Sequence, residues 1–122
     1  MLDGVLVAES LRTGAVLAGV PPRVTKIARI EVPRAGPGQP RQWTLIDFAA
    51  DEHHAEPLAD LLAAALAPTG GWYVNYTTAE EAFVVFPGRI FRYVRGDLGG
   101  REQAKIHARS LGIPEAQLDW QD

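Results

Sequence analysis

The run Asp51-Glu52-His53-His54-Ala55-Glu56 is the densest group of titratable side chains in the chain, with two imidazoles and three carboxylates. Such ligands suit zinc or another first-row ion, and His107 is the only other histidine that could join His53 and His54 at a metal. In an extended segment, however, neighbouring side chains point to opposite sides, and familiar metal motifs space their ligands at i, i+2 or i, i+4. The run therefore reads as a solvated helix start, where carboxylates favour the positive end of the helix dipole. No metal and no other cofactor is expected.

His107 falls among apolar residues rather than charged ones, on the face of a helical stretch that also carries Ala104, Ala108 and Leu111. A histidine there can act as a general base, with Tyr93 and Asp47 as partners, in a pocket between the last helix and the sheet. The plainer reading is a core histidine satisfied by one hydrogen bond from Tyr73, Tyr76 or Tyr93. No serine sits in a GxSxG elbow, and a triad of Ser110, His107 and Asp47 is only a paper assembly.

Gly96-Asp97-Leu98-Gly99-Gly100-Arg101 links a strand to a helix, where backbone N–H groups can hold phosphate. It matches neither GxGxxG nor GxxxxGK[ST], and Asp97 would repel an anion. Loop chemistry, with Asp97 capping nearby N–H groups, is the expectation. In RIFRYVR, Phe91 and Tyr93 share a face with Arg89 and Arg95, while Arg92 lies with Ile90 and Val94. Aromatic side chains beside arginine are enriched at protein interfaces. Arg89, Arg92, Arg95, Tyr73 and Tyr93 are therefore the candidate binding residues.

These groups need a scaffold, and the pattern around them predicts an α+β domain. Residues 72–95 read as a three-strand meander, with TTAEE and Pro87-Gly88 as its turns. Phe83 and Val85 alternate with Val84 and Phe86, so the middle strand is apolar on both faces and should be central. Leu58, Leu61, Leu62, Ala65 and Leu66 form one helical stripe within about 55–67, and a second helix is predicted over 100–111. Residues 24–32 and 43–48 read as further strands, so that 43–48, the first helix and 72–77 could make a βαβ crossover. Residues 33–42, PRAGPGQPRQ, read as a flexible loop. Residues 1–23 fit either a hairpin of LVAES with AVLAGV or a short helix. The expected whole is one domain over 1–122, a mostly antiparallel sheet of four to six strands with both helices on one face.

The chain has 122 residues, is 47% hydrophobic and has a formal charge of −3, enough for one core and unfavourable for general nucleic-acid binding. Absence of cysteine removes disulfides and thiol chemistry. The arginine, alanine, glycine and proline usage is bacterial-like and compatible with a GC-rich genome as readily as with any selected chemistry. With no apolar run long enough to span a bilayer and no basic leader, no membrane partner is expected and the cytoplasm is the expected compartment. The residues thus point to a non-catalytic domain that binds a protein partner, or another copy of itself, through a sheet face or edge. The alternative is a small enzyme or a protein for a small-molecule ligand, built on His107.

Overall fold

The computed structural model describes residues 1–19 and 22–122. Each of two helices follows three strands in an α+β chain: β1 Leu2–Val7, β2 Arg23–Glu31, β3 Gln42–Ala50, α1 Ala55–Ala65, β4 Val74–Thr77, β5 Glu81–Phe86, β6 Arg89–Val94 and α2 Leu98–Ser110. Short 3-10 turns occupy Ala8–Ser10, Glu52–His54 and Glu115–Gln117. All pairing is antiparallel, but the strands divide into two three-stranded sheets, β1-β3-β2 and β4-β5-β6, in place of one.

The meander forms as its sequence predicts. Phe86 pairs with Arg89, leaving Pro87 and Gly88 as the turn, and Gly88 takes φ +68°, the left-handed conformation that a type II turn requires after proline. The Gly88 N–H then donates to the Ala63 carbonyl of α1 at 2.9 Å, docking the hairpin tip on the helix.

Both faces of β5 are buried, and that corrects the placement of the helices. Phe83 and Val85 pack with Leu58 and Leu62 of α1, whereas Ala82, Val84 and Phe86 pack with Ala104 and Ala108 of α2. The helices therefore cover opposite faces of the second sheet, because a strand apolar on both sides needs cover on both. The α1 stripe is Leu58, Ala59, Leu62 and Ala65, with Leu61 only half-buried.

The expected βαβ crossover does not form. β3 is the middle strand of its own sheet, flanked by β1 and β2, so it has no free edge to offer β4. β1 and β4 instead lie side by side without pairing, and Leu2, Leu6 and Phe48 of the first sheet join the α1 core through that junction. The Phe48 ring lies over Gly4, its partner in register, where any Cβ would collide with it.

Residues 2–7 form neither a local hairpin nor a helix, since β1 finds its partner far along the chain in β3, and only the 3-10 turn at 8–10 follows. The expected second hairpin arm, AVLAGV, forms no strand over residues 15–19, and its last residue, 20, lies outside the described residues. The Pro/Gly stretch 33–42 is tied at its centre: the Gln39 side chain accepts from the Gly36 N–H at 2.8 Å and donates to the Gly70 carbonyl at 2.7 Å. No helix among the described residues is long and apolar enough to cross a membrane.

Because Leu62 is fully enclosed while Asp60 of the same helix is exposed, Leu62→Ala should cost about 2–5 kcal/mol and Asp60→Ala almost nothing. Urea denaturation of the two variants checks this, and equal losses would contradict the assigned helix face.

Candidate functional site

The fold separates the histidines. His107 lies on α2 with its ring against Phe86 and Phe91, at centroid distances of 4.9 and 5.3 Å, and its Nε2 is buried without a hydrogen-bond partner. None of the candidate tyrosines serves it. Tyr73 donates to the Gln117 carbonyl, Tyr76 to the Ala55 carbonyl at 2.6 Å, and Tyr93 to Asp122 Oδ1 at 2.8 Å. Burial first, and the Arg89 charge second, hold the His107 imidazole below its ordinary 6.5.

The paper triad is not assembled. Ser110 Oγ donates to the His107 carbonyl within the same helix at 2.6 Å, and Asp47 belongs to the other sheet. Tyr93 is likewise committed: Trp120 Nε1–H donates to its hydroxyl at 2.9 Å. Burial, reinforced by the Asp122 carboxylate, pushes the Tyr93 hydroxyl up to about 12. In Tyr73, burial and then the Asp119 charge likewise push it up to about 12. At the strand-to-helix link, Asp97 accepts from the Gly99 and Gly100 N–H groups at 3.0 and 3.2 Å, as the loop reading requires.

The meander arginines are engaged within the chain. Arg92 lies over the Phe83 ring and donates to Glu81 at 2.7 and 2.8 Å and to Glu56 of α1 at 2.9 Å. These carboxylates hold its guanidinium above the usual range. Arg95 donates to the Thr78 and Asp122 carbonyls at 3.2 and 3.1 Å, and Arg89 lies over Phe91. Arg92 thus fastens α1 to the sheet, and Arg95 fastens the carboxyl-terminal tail to the meander.

His53 and His54 stand together with Asp51 and apart from His107. The expectation that adjacent imidazoles diverge assumed extended backbone. A 3-10 turn is present instead, closed by the His54 N–H to the Asp51 carbonyl at 3.0 Å, and it sets the two rings 4.0 Å apart between centroids.

Uncovered apolar sheet surface lies on the first sheet, with Val24 and Ile27 exposed on one face and Val5 and Ile30 on the other, whereas the second sheet is covered on both faces. Val5 and Val7 of β1, Trp43 and Leu45 of β3, and Ala28 and Ile30 of β2 are aligned by the register on the face opposite Leu6, Ile46 and Phe48, with Val7 and Trp43 packed against the edge of the α1 core. Val5 is 45% and Ile30 39% exposed. Where this face meets β4, a hollow of ≈ 420 Å³ is walled by these valines, Trp43, Leu45, Trp72, Tyr73 and the tail residue Gln117. Trp43 and Trp72 meet edge to face at 5.3 Å. Arg34 stands at this end. A second hollow of ≈ 360 Å³ continues past Val5 and Asn75 to Asp3 and Asp47.

This groove is of a size and apolarity that accept a ligand or a partner's side chains. Asp47, considered above as a helper to His107, lines it instead. The groove was not read from the sequence, although a signal was there: β5 has two apolar faces and the chain two helices, so no helix remains for Val5, Ile30, Trp43 and Leu45. No family model, no curated protein and no solved structure matches the chain.

The depressed His107 has a consequence for stability. Below pH 6.5 the unfolded chain takes a proton at His107 that the folded chain resists, so stability present above that pH falls as the pH drops towards the lower folded value. His107→Phe, which keeps an aromatic ring against Phe86 and Phe91, should show a smaller fall in melting temperature from pH 7 to pH 5 than the wild type. An identical fall would show that His107 titrates normally.

Proposed function

We propose that the chain is a non-catalytic binding domain that holds a protein partner on the helix-free face of the β1-β3-β2 sheet. The observation that supports this reading is the groove along β1, with an apolar floor on a face that neither helix covers. Large exposed apolar patches on small domains mark interaction sites, and stiff aromatic walls such as Trp43 and Tyr73 lose little entropy when a partner docks.

The groove's ends favour one orientation of such a partner. Asp3 and Asp47 make one end acidic, while at the other Arg34 and Asp119 offset each other. The partner suited to this arrangement is an extended apolar segment with a basic residue at the Asp3–Asp47 end. Edge strand β2 adds a flank: it is paired on one side only, and Ile30, opposite Trp43, is 39% exposed there.

Reversing the character of the floor without touching the core provides the test. Val5→Glu places a charge in the groove at an already exposed position, whereas Ile106→Glu does the same on the outer side of α2. Immobilised wild type and Ile106→Glu should retain the same partner from an extract of the source cells, and Val5→Glu should lose it with an unchanged melting temperature. Light scattering identifies the partner as a second copy if a concentration-dependent dimer is split by Val5→Glu. Retention on all three proteins alike, or on none, overturns the reading.

A further inference from the structure

We propose that Asp51, His53 and His54 form a site for a divalent first-row ion of the zinc class, on the 3-10 turn that opens α1. Each residue offers one ligand atom, and these atoms lie within 4.8 Å of one another. Around zinc, with bonds of about 2.0–2.2 Å, tetrahedral ligand atoms sit roughly 3.4 Å apart. Closing the remaining gap takes side-chain rotation alone, at two exposed residues and one half-buried one.

The backbone brings the ligands together before any ion arrives. Asp51 holds the N-cap position of the turn, where an aspartate ordinarily accepts a backbone N–H, yet its carboxylate makes no cap bond. His54, at the N-cap of α1, makes none either. The helix dipole accounts for carboxylates at this end and offers nothing to imidazoles, which as cations are disfavoured there. Two imidazoles held side by side with an uncommitted carboxylate are instead a ligand set matched to zinc, nickel or cobalt.

Three protein ligands leave a coordination position for water, and there is room beside His53. A hollow of ≈ 360 Å³ adjoins it, with Glu52, Glu56, Glu81 and Arg92 among its walls. Glu56 and Glu81 are held by Arg92, which keeps them from competing for the ion. His107 takes no part.

The full chain, prepared without a histidine tag and stripped with chelator, should bind one Zn²⁺ per chain in a calorimetric titration. His53→Ala, His54→Ala and Asp51→Asn should each weaken that binding by about tenfold or more, as loss of a ligand does at least as strongly as loss of its outer support. His107→Ala should leave it unchanged. Circular dichroism distinguishes loss of the site from loss of the fold, which substitutions at this surface turn should spare. No zinc uptake by the wild type, or uptake indifferent to all three ligand substitutions, overturns the proposal. Neither result bears on the groove along β1.

Discussion

The two-sided burial of β5 is the constraint on which the rest of the molecule depends. Ala82 to Phe86 are each no more than 2% exposed, so this short strand has no solvent face at all. Stacking of Tyr76 on Phe83 at 5.2 Å serves the α1 side, and Phe86 against Tyr73 and Phe91 serves the α2 side. Each buried aromatic removes a large apolar area from water, at about 25 cal/mol per Å². Neither helix can be moved to another surface without exposing one row of these side chains.

Closing the α2 side takes more than the helix. Ala104 and Ala108 let α2 approach closely, and their small side chains leave the remaining volume to Ile113, Leu118 and Trp120 of the tail. Trp120 is held by its N–H to Tyr93, by Arg101 over its ring and by Arg101 donating to its carbonyl. The carboxyl-terminal segment is thus part of the core, and its Gln117 reaches across to Gln39 in the β2–β3 connection. Through that contact the loop, the tail and the wall of the groove share one network.

What could be read from the sequence follows from what is local. The meander, both helices, the Pro87-Gly88 turn and the cap at Asp97 depend on periodicity and on residues a few places apart. The 3-10 turn at Glu52–His54 escaped because alternation and helical periodicity both fail over three residues. The β2 faces illustrate the harder limit. Simple alternation puts Val24 with Ala28 and Ile30, but a bulge at Thr25 shifts the register, so that Val24 opposes Phe48 and shares the face of Ile27. Such a shift is a property of the pairing with β3 and leaves no mark within β2. The division into two sheets and the groove at their junction are long-range in the same sense.

Charge completes the distinction between the two sheets. Arg92 and Arg95, the cations that look most available in the sequence, are bound to the chain's own acceptors and act as fasteners between elements. The partly exposed ion pairs of Arg92 contribute little stability individually but join α1 to β5. The ion pairs among the described residues involve Arg29, Arg92, Arg101, Arg109 and the amino terminus, and neither Lys26 nor Arg34 belongs to them. Lys26, opposite Asp47, and Arg34 border the helix-free face, on a chain whose formal charge is −3. Asp3, Asp47 and Asp119 stand on the same groove and offset those cations, so an approaching molecule meets an acidic balance there, as over the chain as a whole, where the apolar side chains are uncovered.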